Sequence, residues 1–215
     1  MKSIWALIQL EFTLELRKKY ALGGTLLYVL STVFILYTSL ANFDELPWNA
    51  LFWLVALFIA VNAIAKSFAT EQDGTQLYLY QLASGVHIIV AKMIYNVGLI
   101  FALLALAMLA FLLFLAIPII HMDLFILTVG LGSMGLGIVL TFISAIANKT
   151  DSSAVFTAIL GFPVMLPILL SLIKLTSASF SAEIIPIQND IIILLAIDAI
   201  LVGLILILFP ILWKD

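Results

Sequence analysis

The sequence predicts an all-α, polytopic membrane protein with six transmembrane helices, an N-terminal interfacial helix and both termini in the cytoplasm. Hydrophobic residues make up 65% of the 215 residues and charged residues only 10%, whereas soluble domains average about 45–50% apolar and about 25% charged residues. The long apolar runs do not alternate with polar residues, which favours helices over a membrane β-barrel. The third observation is the distribution of lysine and arginine, which sets the orientation.

Basic residues mark one side of the predicted membrane protein. Cytoplasmic loops carry an excess of lysine and arginine, and an even number of spans puts both termini on the same side. Only Lys174 falls on the other side. The other eight basic residues lie in or beside alternate gaps between the apolar runs: Lys2, Arg17, Lys18, Lys19, Lys66, Lys92, Lys149 and Lys214.

Residues 1–19, MKSIWALIQLEFTLELRKK, form a separate element before the first span. The segment has high helix propensity, and Glu15 lies four residues before Lys19, a favourable spacing and order in a helix. We expect an interfacial helix along the cytoplasmic membrane surface that also touches a partner; the alternative is a plain leader into the first span. Apolar residues fall on two strips of the helix, one with Ile4, Trp5, Ile8, Phe12 and Leu16 and one with Leu7, Leu10 and Leu14.

The six spans follow from the length of the apolar runs. A helix needs about 20 apolar residues to cross about 30 Å of hydrocarbon. The short loops between the runs leave no room for a nucleotide-binding or catalytic domain, so we expect a single transmembrane domain over residues 1–215. The runs that meet or nearly meet this length are 20–40, 48–65, 93–117, 124–147, 154–173 and 191–212.

The longest polar interruption on the predicted inner face is the cytoplasmic loop 66–92. Its sequence Glu71-Gln72-Asp73-Gly74 is a turn signal. Thr75 can cap a short helix that ends near Leu82 and that Gly85 closes. Such a short helix is not stable alone in water, and its tyrosines and leucines suit a protein contact. We therefore expect it to dock against a partner; the alternative is an ordinary re-entrant or interfacial loop.

A resemblance to a known family covers most of the chain. A span is followed by an acidic, glycine-containing turn, a short helix and Lys92 at the next span, and the charged N-terminal helix ends in Leu16-Arg17-Lys18-Lys19. In the second half, the polar turn 148–153 precedes Gly161-Phe162-Pro163 and Leu166-Pro167. This order resembles the cytochrome c maturation protein B family, also called the haem exporter protein B family. These are permease subunits of an ABC-type complex in the bacterial inner membrane.

The resemblance implies a type-2 ABC exporter-like permease without catalytic residues of its own, paired with a cytoplasmic ABC ATPase. The complex would also involve a haem-handling membrane subunit and a periplasmic haem chaperone, and would handle ATP and haem. The segment Thr75–Leu82 is then the natural coupling helix, with the inner loop 148–153 as a further working part. The ATPase-coupling residues implied are Glu71, Asp73, Gly74, Thr75, Leu79 and Leu82.

Several kinds of chemistry find no support in the sequence. There is no Walker-type glycine-lysine loop for ATP hydrolysis, no HExxH metal motif and no cysteine. No charged tail suggests nucleic-acid binding. Haem binding needs an axial ligand such as histidine, and the chain has only His87 and His121. His121, in the predicted outer loop, is a weak haem candidate, and the alternative is an interfacial polar residue. We therefore expect no cofactor bound by this chain and a mechanical permease role.

Asp198 is the acidic residue that lies well inside a predicted span. An aspartate at mid-membrane costs about 2.5–3.5 kcal/mol on insertion scales, so its side chain should face protein or water. The functional interpretation is a polar latch or a proton site. The alternative is an aspartate hydrogen-bonded to a serine or threonine of a neighbouring helix.

Small residues and prolines mark the fourth and fifth spans. Ser133 and Gly137 form a small-xxx-small pair that permits close helix approach, either for a helix that slides or dimerises or for tight packing within the subunit. Pro163 and Pro167 should kink or break the fifth span. Whether two copies face each other is left open.

Two other functions remain open at this stage. One is the permease of a different ABC exporter, moving a lipid, drug or polysaccharide. The other is a proton-coupled secondary transporter that uses Asp198.

Overall fold

The computed structural model describes residues 2–17, 19–39, 45–69, 84–115, 119–147, 153–182 and 186–212. The regular structure in these ranges is entirely α-helical, which confirms the predicted all-α class. The helices are α1 (Lys2–Arg17), α2 (Lys19–Ser39), α3 (Glu45–Ala69), α4 (Gly85–Phe114), α5 (Met122–Ala147), α6 (Ser153–Phe180) and α7 (Gln188–Leu212).

The helices from α3 to α7 are each long and apolar enough to cross a membrane, which confirms a polytopic membrane protein. The helix α2 contributes a shorter apolar stretch, Gly23–Ser39, within the part of the chain that the structure describes. The six-span count and the location of the termini therefore stay predictions.

The helix α5 is the centre of the bundle. It packs against α3, α4, α6 and α7, and most of its residues are buried. The peripheral helices α2 and α7 instead expose large apolar side chains, among them Phe34 and Ile35 on α2 and Ile200 and Ile207 on α7. A helix that is apolar all round and exposes this surface suits a lipid environment.

The bundle has two distinct ends. We call the end where α3 stops and α4 starts the inner end, and the end where α4 stops and α5 starts the outer end. At the outer end the Trp48 ring centroid lies 5.3 to 5.7 Å from those of Phe52, Phe111, Phe125 and Phe180. The Trp48 indole N–H donates to the Leu115 carbonyl at 2.9 Å. These aromatic side chains come from α3, α4, α5 and α6, so they hold the outer ends of four helices together.

The helix α6 extends seven residues beyond the predicted end of its span at Ile173. Residues after Ile173 look polar in sequence, but their hydroxyls find partners inside the bundle. The Trp53 indole N–H donates to Thr176 Oγ1 at 2.8 Å, and the Asn49 amide donates to Ser177 Oγ at 2.9 Å. Since these groups are satisfied by helix α3, the helix can continue to Phe180.

Of the two outcomes predicted for Pro163 and Pro167, the break of the fifth span is not observed, and the kink stays a prediction. Both prolines lie inside α6, which runs without interruption from Ser153 to Phe180. Proline is tolerated within transmembrane helices because neighbouring groups and small backbone adjustments satisfy the freed carbonyls.

The predicted loop 66–92 is also shorter than expected. Helix α3 continues to Ala69 and α4 begins at Gly85 rather than at Met93. At 1.5 Å per residue the 30 residues of α4 span about 45 Å, which exceeds the hydrocarbon thickness of about 30 Å. The first turns of α4 therefore extend past the apolar layer or the helix tilts.

Candidate functional site: the inner end and the buried polar groups

The predicted coupling helix and its turn lie outside the described residues, as does most of the inner loop 148–153. The structure nevertheless defines the frame to which the coupling segment is attached. Helix α3 ends at Ala69 and α4 begins at Gly85. These two helices are therefore the direct covalent attachments of segment 70–83. The residues concerned are Glu71, Asp73, Gly74, Thr75, Leu79 and Leu82.

The start of α4 is sharply defined by Ser84. This residue has extended backbone angles (φ −68°, ψ 147°), and its carbonyl accepts from the backbone N–H groups of His87 and Ile88 at 2.9 and 3.2 Å. Its hydroxyl lies 2.7 Å from His87 Nδ1. Gly85, which was predicted to close the short coupling helix, is the first residue of the long helix α4.

The N-terminal helix α1 packs on α4 through one face. Its half-buried residues are Ile4, Leu7, Ile8 and Glu11, a spacing of i, i+3, i+4 and i+7 that forms one stripe on a helix. The predicted strips were different, because Trp5 (63% exposed) and Phe12 (56% exposed) point away from the bundle. One of the four inward residues is therefore an acid.

Glu11 forms an ion pair with Lys92. The Glu11 Oε1 atom lies 2.9 Å from Lys92 Nζ, and the two side chains are 18% and 3% exposed. A buried charge is costly unless it is paired, so this contact explains how a lysine is accommodated inside the apolar helix α4. The pair links residues 81 positions apart in the sequence and joins α1 to α4.

A second polar contact lies one turn further along α4. The Asn96 amide donates to Thr141 Oγ1 on α5 at 2.9 Å, and the Thr141 hydroxyl donates to the Gly137 carbonyl at 2.6 Å. Both side chains are fully buried. Polar groups thus connect α4 to α1 on one side and to α5 on the other.

Sequence reasoning missed the pair of Glu11 and Lys92. Glu11 belongs to neither predicted apolar strip of the N-terminal helix, and Lys92 was expected at the cytoplasmic border of a span. One signal was present, because Glu11 completes the stripe with Ile4, Leu7 and Ile8. An acid on an otherwise apolar helix stripe suggests a buried partner of opposite charge, whereas the position of Lys92 inside α4 is given only by the structure.

Asp198 is buried in the middle of α7. Its residue exposure is 1%, and neither carboxyl oxygen has a hydrogen-bond partner in the described parts of the chain. An ideal Cβ on Gly135 of α5 would lie 3.5 Å from Asp198 Oδ1. The alternative of a hydrogen bond to a serine or threonine of a neighbouring helix is therefore not observed in the described residues. The interpretation of Asp198 as a polar latch or a proton site stays a prediction.

The small residues of α5 lie against other helices of the same chain. An ideal Cβ on Gly137 would lie 2.7 Å from Val97 Cγ2 and 3.0 Å from Val97 Cα on α4, and one on Gly132 would lie 2.5 Å from the Trp53 ring on α3. Ser133 is buried, and its hydroxyl donates to the Gly130 carbonyl at 2.7 Å. The close approach expected at Gly137 thus occurs within the subunit.

His121, the haem candidate predicted in the outer loop, is exposed at the outer end. Its backbone N–H and that of Ile120 donate to the Ser179 carbonyl at 3.0 and 3.1 Å. These bonds attach the segment before α5 to the end of α6. Among the described residues, no three histidine, aspartate or glutamate side chains come together as a metal site.

Comparison with protein families gives a match over nearly the whole chain. The model of the family described as CcmB protein matches residues 2–211. No curated protein sequence matches the chain.

Proposed function

This chain belongs to the CcmB family, and we propose that it couples ATP hydrolysis in a separate cytoplasmic ATPase to haem export or to release of a haem-loaded chaperone. Membership makes it a membrane component of the cytochrome c maturation haem-export system and a transport subunit rather than an enzyme. The bacterial inner membrane as its location, a haem-handling membrane subunit and a periplasmic chaperone as partners belong to the same proposal.

The observation that carries the coupling role is the position of α4. This helix begins directly after the proposed coupling segment, it bears α1 through the Glu11–Lys92 ion pair, and it packs closely on α5 at Gly137. A displacement of segment 75–82 by the ATPase would therefore reach the central helix α5 in one step. Packed helices transmit such movements because protein interiors are not easily compressed.

Haem is treated as cargo handled by the complex. His121 is exposed at the outer end, and the nearest polar backbone contacts there go to Ser179. This arrangement supports a surface residue more than an enclosed haem pocket, which would bury most of its ligand. The family match also favours this proposal over the export of a lipid, drug or polysaccharide.

A second candidate function, proton-coupled transport, is favoured by one observation. The Asp198 carboxyl group is buried and without a hydrogen-bond partner in the described residues, and acidic residues inside membrane spans mark proton relays in pumps and transporters.

The coupling role is tested by Leu79→Asp, with the ATPase co-purified in mild detergent. A charge in the apolar docking surface should strongly reduce the amount of bound ATPase, because an unpaired charge buried in an interface weakens the binding free energy by about 2–5 kcal/mol. The matched control is Ile120→Asp, the same change in chemistry at an exposed residue of the outer end. It should leave the bound ATPase unchanged.

The assignment of the coupling segment fails if Leu79→Asp retains as much ATPase as the Ile120→Asp control. Membrane accumulation of both variants is measured in parallel, so that loss of ATPase is counted per inserted subunit.

A further inference from the structure

We propose that the ion pair between Glu11 and Lys92 is a latch that fixes α1 in one register on α4, so that the two helices move as one body. The pair joins a Glu11 oxygen to the Lys92 ammonium nitrogen at 2.9 Å. Glu11 and Lys92 are thus positioning residues. No ligand is required for the latch.

Burial makes the loss of either partner of the pair costly. Lys92 is 2% exposed as a whole residue, and its position is the eighth of the 30 residues of α4. Removing one partner leaves the other charge in surroundings that cannot hydrate it, which is strongly unfavourable. Exposed ion pairs contribute little by comparison; the pair of Lys174 with Asp190, at 3.6 Å and with the lysine side chain 70% exposed, belongs to that weaker class.

The apolar contacts of α1 do not by themselves define its position. Ile4, Leu7 and Ile8 are only half-buried, while Trp5, Leu10, Phe12 and Leu14 are exposed. Leucine and isoleucine stripes permit sliding and rotation, because their contacts are non-directional. A buried polar contact is the device that sets register between helices, and Glu11 with Lys92 is such a contact between α1 and α4.

The latch also affects how a movement of segment 70–83 would pass into the helix bundle, a consequence that rests on the proposed function. Because Lys92 lies two turns after the start of α4, a displacement entering α4 from segment 70–83 reaches the pair before it reaches Asn96 and Thr141. The N-terminal helix then follows α4 and keeps its exposed aromatic side chains at the same depth relative to it.

The experiment uses the natural absence of cysteine in the chain. A single reporter, Ile8→Cys, lies on the half-buried face of α1, and its labelling by a membrane-impermeant maleimide is followed in inside-out vesicles without ATPase or ATP. Glu11→Lys and Lys92→Glu should each raise the labelling rate at least about tenfold, since opening of α1 becomes easier when the pair is broken. The double variant Glu11→Lys/Lys92→Glu restores an opposite-charge pair and should return the rate to that of the parent.

Two controls distinguish loss of the ion pair from a general destabilisation of α1 by mutation. Thr13→Lys places a positive charge on an exposed position of α1 and should leave the Ile8→Cys rate unchanged. The reporter Gln9→Cys, which is exposed, should be labelled rapidly in every variant.

The latch is overturned if the double variant does not return the labelling rate of Ile8→Cys to that of the parent. It is also overturned if the double variant does not regain membrane accumulation lost in the single variants. Single variants that stay as protected as the parent also overturn it. ATPase co-purification is measured separately. If the double variant restores protection of Ile8→Cys, the latch is supported; if Leu79→Asp then leaves ATPase binding unchanged, the proposed function is contradicted although the latch stands.

Discussion

At the residue scale, two ionisable side chains are buried in the described part of the chain, and they are accommodated differently. Lys92 is paired with Glu11 at 2.9 Å, whereas Asp198 faces Gly135 with both carboxyl oxygens unpartnered among the described residues. The Glu11 partner accounts for the burial of Lys92. A buried carboxyl group without a hydrogen-bond partner destabilises the fold, and no contact within the described ranges compensates for it at Asp198, so the role of Asp198 most needs a test.

The mechanical and proton-coupled functions make different predictions for Asp198→Asn. Asparagine preserves the shape and polarity of the side chain, but its amide does not take up or release a proton near neutral pH. In a mechanical subunit, c-type cytochrome maturation, measured by haem staining per inserted subunit, should fall by less than about tenfold. Removal of a proton-transfer group should lower it by about 100-fold or more.

The control for that variant is Asp123→Asn, the same substitution at an exposed aspartate in the first turn of α5, which should have no effect. A loss of maturation of about 100-fold at Asp198, with normal membrane levels, would favour the proton-coupled mechanism.

At the element scale, the helices and their order could be predicted from the apolar runs, but their ends could not. Helix α6 passes Ile173 because Thr176 and Ser177 accept from Trp53 and Asn49 of α3. Lys92, which precedes the predicted start at Met93, lies inside α4 and pairs with Glu11 of α1. Hydrogen-bond and ion-pair partners from distant parts of the chain allow these polar residues to lie within helices inside the bundle. A single sequence shows the polar residue and not its partner, so the spans were predicted too short.

Close packing of α4 on α5 predicts that Gly137→Ala lowers the stability of the folded protein. The added Cβ would lie 2.7 Å from Val97 Cγ2 and 3.0 Å from the Val97 Cα, so the helices must separate, at a cost of about 1–3 kcal/mol. The midpoint temperature of unfolding in detergent should fall. Adding Val97→Ala should recover part of the loss, because it removes the nearer atom.

Gly130→Ala on the same helix is the matched control. Nothing lies within 4 Å of its ideal Cβ, and alanine favours a helix over glycine by about 1 kcal/mol. Its unfolding midpoint should stay the same or rise. An equal midpoint for the two alanine variants would show that α4 and α5 are not in close contact at Gly137.

At the scale of the whole molecule, composition and charge predicted the class, and the family match agrees with it over residues 2–211. The sequence could not show that α5 is the central helix or that α1 is docked through a buried charge, because both depend on which helices are neighbours. The proposed coupling role requires that the inner end, where α3 and α4 flank segment 70–83, faces the cytoplasm.

Thiol accessibility from each side of the membrane tests this orientation most directly. In the cysteine-free chain, Gln76→Cys should react with an impermeant maleimide in inside-out vesicles and stay unlabelled in spheroplasts, while the exposed outer-end variant His121→Cys should show the opposite pattern. Labelling of residue 76 from the periplasmic side alone would contradict the coupling role proposed for this end of the molecule.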